Sequence, residues 1–411
     1  MKRQLATAIA LILAASPAAF AQTPSNTAYQ KPHTSWGAPD LQGYWSNASI
    51  TKMSRPAGLT TLIITPEQAK GLEDKDLNNQ RLAADQKPTD QTVGAPAVGG
   101  LQNNGNYNAF WWDPGKTVAK INGEYRSSWI VEPANGRIPY KAGRAGAARA
   151  AAAANSEDGS PPPRAAAAPA PAARPAAPAA NPAAAPKPPA KTIAPAKPEP
   201  KAFVEPGPSY GNVGVGRVEA AASYMGPESR SLGERCLIGF GNTGGPVMTN
   251  VLYNNMYQIV QAPNAVMIQV EMNHDARIIP IFTSPAEATK AHRPAVMKQW
   301  LGDSVGWYEG DTLVVETKNV NPVQRGYIGP NGKLTERFTR IADGQILYGF
   351  EVDDPDQYAQ VWKGEMAFNA GKGGLWEYAC HEGNYGLIGI LEGARQREKR
   401  GEKLELTAES E

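Results

Sequence analysis

The sequence has 411 residues, with 41 lysines and arginines, 39 aspartates and glutamates, and a formal net charge of +2. This balance argues against a nucleic-acid partner and against a surface built to hold polyanions. No apolar run in the sequence reaches the roughly 18 residues of a membrane-spanning helix, so we expect no membrane insertion. The chain has no P-loop and no G-x-S-x-G motif, and we predict neither a cofactor nor a protein partner.

Residues 1–21 have the three parts of a secretory signal peptide. Lys2 and Arg3 supply the charged start, and an apolar run follows from Leu5 to Ala15. The triplet Ala19-Phe20-Ala21 forms an A-x-A cleavage site. We therefore expect a mature chain that begins at Gln22 and is exported to the periplasm or secreted.

Residues 22–140 are predicted to supply strands and one helix to the main domain. Leu41–Ser49 is the first strand-like piece, and its G-x-W triplet resembles the opening of lipocalins. Asn108–Asp113 and Arg126–Pro133 are further strand-like pieces. Between the first of these pieces and the other two, Thr65–Gln68 has the pattern of a capping box with proline in the first turn, which predicts a helix. These strands are too few for a separate core, so we expect them to join the downstream β-structure.

Residues 141–201 form a low-complexity insert rich in alanine and proline. Within Ala165–Pro200 the only large apolar residue is Ile193, so the segment cannot bury enough surface to offset its chain entropy and is predicted to be disordered. A spacer or a basic tether to the cell wall is one interpretation. We favour a neutral insertion, because surface loops tolerate added length at little cost.

Residues 202–395 show short alternating strands separated by tight turns. Val266, Ile268 and Val270 share one face, while Met267 and Gln269 share the other, which is the period of a strand. Successive hairpins with few crossover helices predict an antiparallel meander with enough strands to close a barrel. The predicted fold class is therefore all-β and mainly antiparallel, a lipocalin-like or similar β-barrel meander with a few short helices.

Two further elements complete this prediction. Ser284–Glu287 has the pattern of a second capping box and predicts a helix. Leu375–Cys380 is predicted to be the last strand of the meander, and residues 396–411 are predicted to form a charged C-terminal tail.

Cys236 and Cys380 are the only cysteines. In an oxidising compartment a lone pair is more often a structural disulfide than a reactive dithiol. Closing so long a loop contributes on the order of 4 kcal/mol in the chain-entropy model. We therefore predict a Cys236–Cys380 disulfide that also fixes the position of the residue after Cys380.

Two histidines, His274 and His381, are each followed by a carboxylate, Asp275 and Glu382. A histidine can act as a general base or acid, and an adjacent carboxylate can fix its tautomer and raise its basicity. Arg277 is predicted to hold an anionic group. A polar hairpin corner with a surface ion pair is the alternative interpretation at residues 274–277.

Aromatic and polar residues near the strands are the candidate substrate contacts. Most aromatic residues of a barrel belong to its core, but some can line a cavity for a flat or apolar ligand. The predicted substrate-binding residues are Trp307, Tyr308, Trp376, Tyr378, Asn384 and Tyr385.

Two other chemistries are less well supported. Zinc and iron accept two histidines and a carboxylate, but the chain has no closely spaced histidine pair, so no metal site is predicted. Gly239–Gly244 matches G-x-G-x-x-G, but a dinucleotide site needs a strand before it and a helix after it. We interpret this segment as a glycine-rich turn or gate beside Cys236.

Four phrases resemble the recurring motifs of a family of secreted bacterial proteins. They are "RSLGERC", "WLGDSVGWYEGDTLVVETKN", "ERFTR" and "EYACHEGNYG". The resemblance covers most of the mature chain outside the alanine/proline insert. It implies export and a shared β-rich fold, and it carries over no activity and no catalytic residue.

Together these features predict a periplasmic enzyme that performs acid–base chemistry on a small apolar or aromatic compound. In this hypothesis His274 and His381 exchange protons, Asp275 and Glu382 orient them, and Arg277 holds an anionic group. Because both histidines are placed at strand ends, we expect them to converge on one cavity. A non-catalytic carrier of a small-molecule ligand and a structural envelope protein are the alternatives.

Overall fold

The computed structural model describes residues 29–85, 113–141, 226–227, 232–239, 242–251, 253–324 and 326–401. The chain divides into an N-terminal unit, of which only Tyr29 and Gln30 are described, and a unit that starts at Lys31. Everything below concerns the second unit. The predicted signal peptide and the alanine/proline insert after Lys141 lie outside the described residues.

The described elements are mostly β-strands. The strands are β1 (Gly43–Ser46), β2 (Ile63–Ile64), β3 (Lys120–Ile121), β4 (Glu124–Arg126), β5 (Ile130–Glu132), β6 (Met256–Ala262), β7 (Ala265–Val270), β8 (Ala276–Pro280), β9 (Asp303–Glu309), β10 (Thr312–Lys318), β11 (Lys333–Ala342), β12 (Gln345–Asp353) and β13 (Trp362–Ala370). The helices are α1 (Pro66–Lys75), α2 (Leu77–Asp85), α3 (Pro285–Lys290) and α4 (Tyr385–Lys399). No helix in the described ranges has the length and apolar content needed to cross a membrane.

One large antiparallel sheet has the strand order β8-β7-β6-β1-β13-β12-β11-β10-β9, and β5 pairs with β13 beside this path. Its two end strands approach each other at a parallel bridge between Ile281 and Gly306. A Cβ atom at Gly306 would lie 2.9 Å from Ile281 Cδ1, so glycine permits this approach. The sheet is therefore a nearly closed barrel, and the predicted antiparallel β-barrel meander is confirmed.

The N-terminal part of the chain joins this barrel, as predicted. Strand β1 lies between β6 and β13, with Trp45 opposite both Tyr257 and Ala370. A separate three-stranded sheet, β2-β4-β3, lies beside the small apolar cluster under α1. The strand expected at Asn108–Asp113 lies outside the described residues except for Asp113.

Both segments predicted as capping boxes start helices, but only the one at Thr65 has both hydrogen bonds of the box. Thr65 Oγ1 accepts a hydrogen bond from Gln68 N, and Gln68 Oε1 accepts one from Thr65 N. Ser284 Oγ accepts one from Glu287 N at the start of α3. The helix predicted after Thr65 is divided in two, because Asp76 is extended and its carboxylate caps the first turn of α2.

The inward positions of the strands form a packed aromatic core. Tyr348 lies in the centre, with ring centroids 5.0 Å from Phe338 and 5.1 Å from Phe368. Residues 242–251 insert against this core: Met248 N donates to the Tyr348 hydroxyl, and the Tyr257 hydroxyl donates to Thr243 O. Residues 242–244 of the glycine-rich segment thus lie in a turn that packs into the barrel, while residues 240–241 lie outside the described residues.

The prediction for the C-terminal region is partly wrong. Leu375–Cys380 forms no strand, and α4 occupies residues 385–399, where we expected the end of the meander and a charged tail. The backbone N–H of Trp376 donates to a Glu271 carboxylate oxygen instead of to a neighbouring strand. Asn384 starts α4, since its side chain accepts a hydrogen bond from Leu387 N.

Candidate functional site

A disulfide lies at the centre of the candidate site. Cys236 and Cys380 are bonded, with their Cα atoms 5.7 Å apart, which confirms the predicted pairing. Asn384 Nδ2 donates to Glu234 O at 2.7 Å and lies 3.5 Å from Cys236 Sγ. The start of α4 is therefore tied to the segment 232–239 by a covalent bond and by hydrogen bonds.

His274 and Asp275 lie beside the same segment. They follow β7 in a short turn, and Asp275 Oδ2 accepts a 2.8 Å hydrogen bond from Gly239 N. A Cβ atom at Gly239 would lie 2.7 Å from Met272 Cγ, so this approach requires glycine. Burial raises the pKa of the Asp275 carboxyl, although the Gly239 hydrogen bond opposes the shift. His274 itself is exposed.

Three of the seven described non-glycine residues with positive φ lie here. Cys236, Asn273 and His274 have positive φ angles of 56°, 58° and 46°. Residues other than glycine rarely adopt this region, and each costs on the order of 1–3 kcal/mol when the surrounding structure enforces it. Such strain is found disproportionately at functional sites.

Glu271 connects this turn to the residues before the second cysteine. Its side chain is buried, its Oε2 accepts from Met256 N, and its Oε1 accepts from Trp376 N. We call residues 232–239, 271–275 and 376–385 the disulfide face.

Eight of the predicted site residues belong to the disulfide face in addition to the two cysteines. His381, Glu382, Trp376 and Tyr385 are exposed, the last two to 79%. Tyr378 is half-buried and stacks on Tyr253, with ring centroids 6.0 Å apart. The remaining three are His274, Asp275 and Asn384. His381 does not follow a strand, because Leu375–Cys380 is irregular.

Three predicted residues lie elsewhere. Trp307 is buried on the outer face of β9 against Ala288 of α3, and its indole N–H donates to Glu309. Tyr308 faces the opposite side, where its hydroxyl accepts from Gln261. The two side chains diverge because neighbouring residues of a strand point to opposite sides. Neither residue belongs to the disulfide face.

Arg277 is the third predicted site residue that lies outside the disulfide face. It is 2% exposed, and its guanidinium lies inside the barrel, where both Nη atoms bind the Glu336 carboxylate. Thr317 and Ser304 accept further hydrogen bonds from Nη2. This position differs from the predicted one at the rim and is not the surface ion pair of the alternative interpretation. Arg277 does not present a free guanidinium to a substrate.

The residues that surround Arg277 were not singled out from the sequence. Glu336 is fully buried, and the Tyr348 hydroxyl donates to its Oε1 at 2.8 Å. A signal was present, since Glu336 shares the inward face of β11 with Leu334 and Phe338, two positions away on either side. A charged residue at an inward strand position indicates a buried partner.

A histidine outside the disulfide face lies between two carboxylates. His292 Nδ1 is 2.9 Å from Asp303 Oδ2, and Nε2 is 3.1 Å from Glu316 Oε1. Lys318 Nζ also contacts Glu316, at 2.7 Å. These contacts indicate a structural role for His292. In the described ranges, no group of three His, Cys, Asp or Glu side chains is arranged to hold a metal ion.

The Glu316 contacts predict a pH-dependent stability. The hydrogen bond from His292 is the largest cause that lowers the Glu316 pKa from 4.5 to about 2, although burial opposes it and Lys318 adds to it. A carboxylate whose pKa is lower in the folded state stabilises the fold above its unfolded pKa. We therefore expect stability to fall as the pH decreases from about 4.5 towards 2, and Glu316→Gln to remove part of this fall.

Scanning calorimetry of the wild type and of Glu316→Gln between these pH values measures the difference. Glu398→Gln, at an exposed glutamate of α4, is the control and should follow the wild type. Equal pH dependence of all three proteins would contradict the role given to Glu316.

No protein-family model matches this chain, and comparison with curated proteins and with solved structures also found no match. The case for a function therefore rests on the residues described above.

Proposed function

We propose that this protein is an enzyme that performs acid–base chemistry, by isomerisation, elimination or hydrolysis, on a small apolar or aromatic compound at the disulfide face. One observation carries the proposal. The segment 232–239 is bound to Asp275 through the Gly239 N–H and to Cys380 through the disulfide. The two histidines adjacent to these residues are thereby attached to one short piece of backbone.

The side chains have the chemistry that this role needs. His274 and His381 are both exposed, so each can exchange a proton with a bound molecule and with water. Imidazole serves as general acid or base near neutral pH. We assign proton exchange to these two histidines and orientation to Asp275 and Glu382. Arg277 has no part in this proposal, since its charge is engaged by Glu336 inside the barrel.

Aromatic surface on the disulfide face supports an apolar or aromatic substrate. Trp376 and Tyr385 are each 79% exposed, and Leu237 is 46% exposed. Exposed aromatic side chains that gain contacts only with a ligand are typical of binding surfaces. The same observation favours the alternative function, a non-catalytic carrier, which needs this surface but no proton exchange.

The test is a small panel of aromatic probes with one representative of each reaction class. Nitrophenyl esters report hydrolysis, a β,γ-unsaturated aryl ketone reports isomerisation, and an aryl compound with a β-leaving group reports elimination. We expect turnover of at least one probe by the wild type. His33→Gln is the matched control, because His33 is an exposed histidine paired with Asp311 outside the disulfide face.

The outcomes separate the hypotheses. Probe binding without turnover, detected by quenching of Trp376 fluorescence relative to Trp376→Phe, supports the carrier. If the protein shows neither binding nor turnover of any probe, the structural envelope protein is the hypothesis that remains. Turnover that is equal in the wild type and in a variant lacking both His274 and His381 contradicts the proposed site.

We also propose export to the periplasm or secretion. The N-terminal sequence pattern motivates this location, and the disulfide supports it because such bonds persist in oxidising compartments. Immunoblots of periplasmic and cytoplasmic fractions test it, with a variant lacking residues 2–21 as the control.

A further inference from the structure

A pocket of about 480 Å³ lies on the N-terminal part of the structure. Its floor is Arg55, and its walls come from the loop before β2 and from β5 with the turn that follows. The wall residues are Thr60, Thr61, Leu62, Ile63, Val131 and Ala134. The volume is within the range of small-molecule sites, roughly 300–1,000 Å³. None of these residues belongs to the disulfide face.

Arg55 is 3% exposed, yet its charge has no counter-ion among the described residues. Its Nη1 donates to Thr60 O at 2.8 Å and to Ala134 O at 2.9 Å, so that it connects the two walls. No hydrogen bond joins Nε or Nη2 to the part of the chain that the structure describes. Nε is itself closed off from solvent, so Nη2 is the donor group left open to a ligand.

Two other arginines have the carboxylate partner that Arg55 lacks among the described residues. Buried Arg277 is paired with Glu336, and Arg126 lies within 3.7 Å of Glu124 and Glu365. A buried charge without a partner is costly, because water no longer solvates it fully. At Arg55 the pocket opens over the cation and gives an anion from solution a place to supply the opposite charge.

The sequence favours this geometry locally. Arg55 N donates to Gly136 O, and a Cβ atom at Gly136 would lie 2.9 Å from Arg55 Nε and Cζ. Glycine at 136, with φ of +65°, thus lets the turn after β5 close over one side of the guanidinium. This contact holds the cation in place at the floor of the pocket.

We propose that this pocket binds a small monoanionic carboxylate that carries a short apolar or aromatic group. A carboxylate can accept from the open Nη2 group and supply the opposite charge. The aliphatic side chains of Leu62, Ile63 and Val131 suit an apolar remainder of the ligand. The site is independent of the proposed catalytic function, and its test uses no activity measurement.

The experiment follows the methyl resonances of Leu62, Val131 and Ala134 in the full-length protein during titration with benzoate. Benzamide, which has the same shape without the charge, is the matched probe. We expect saturable shifts with benzoate, and at least tenfold weaker binding of benzamide.

Two variants test the role of Arg55. Arg55→Gln should weaken benzoate binding at least tenfold. Ile63→Glu places a carboxylate in the pocket without touching the Arg55 hydrogen bonds, so it should abolish binding even where Arg55→Gln fails to fold. Ile278→Glu is the matched control, since Ile278 is 70% exposed on β8 and does not line the pocket, and it should bind benzoate as the wild type does.

The proposal is overturned if benzamide binds as tightly as benzoate, or if Ile63→Glu binds benzoate with wild-type affinity. The absence of a saturable shift with benzoate, butyrate and 4-hydroxybenzoate up to about 100 mM would also overturn it, since a weaker site has no use at cellular concentrations.

Discussion

Replacing Glu336 by glutamine is expected to destabilise the fold by about 3–5 kcal/mol, because it leaves the charge of Arg277 buried without a partner. Glu336 is fully buried, Arg277 is 2% exposed, and the two form a bidentate pair inside the barrel. Burial alone would lower the pKa of Arg277, but the charge and hydrogen bonds of Glu336 raise it overall. Urea denaturation of the wild type and the variant measures the loss.

The control is the same change at an exposed ion pair. Arg337 Nη1 lies 2.7 Å from Glu309 Oε2, with both side chains more than 40% exposed. Glu309→Gln should cost less than about 1 kcal/mol, because water screens the pair. If Glu336→Gln is as mild as Glu309→Gln, the buried pair does not have the importance given to it here.

A second comparison separates the compensation of charge from the other hydrogen bonds that Arg277 and Glu336 make. Replacing both Arg277 and Glu336 by leucine removes both charges, so it should cost less than Glu336→Gln alone. A double variant that is less stable than Glu336→Gln would show that the hydrogen bonds to Ser304, Thr317 and Tyr348 contribute more than the compensation of charge.

The largest expected effect on activity comes from the histidines of the disulfide face. His274→Gln and His381→Gln should each lower kcat/KM by about 10²–10⁴, which is the usual contribution of a positioned general acid or base. Both side chains are exposed, so the melting temperature should change little. Steady-state kinetics with the probe turned over by the wild type gives the result.

His33→Gln serves again as the control, and it should keep wild-type kcat/KM. A loss of activity that is accompanied by a large loss of melting temperature would indicate damage to the fold. Full activity of either single variant would remove that histidine from the proposed chemistry.

The regular part of the fold was predictable because its sequence signals are local. Alternation at Val266, Ile268 and Val270 predicted strand β7. The capping box at Thr65 predicted the start of helix α1. Leu375–Cys380 also alternates, but a strand needs a free partner edge. Its Trp376 N–H binds Glu271 instead, and sequence alone does not show that contact.

The candidate site was predictable in part. Two lone cysteines in a chain predicted to be exported were enough to pair Cys236 with Cys380. The position of Arg277 could have been found, since it shares the inward face of β8 with Ile279. Its partner Glu336 lies 59 residues away on β11, and such non-local pairs do not appear in a local pattern.

The central claim is that His274 and His381 act together at one site. The kcat/KM of the double variant His274→Gln/His381→Gln, compared with the two single variants, tests it most directly. Residues that act as a unit have non-additive effects. The kcat/KM of the double variant should therefore lie within about tenfold of that of the less active single variant. Losses that multiply to the product of the two single effects would contradict a shared site.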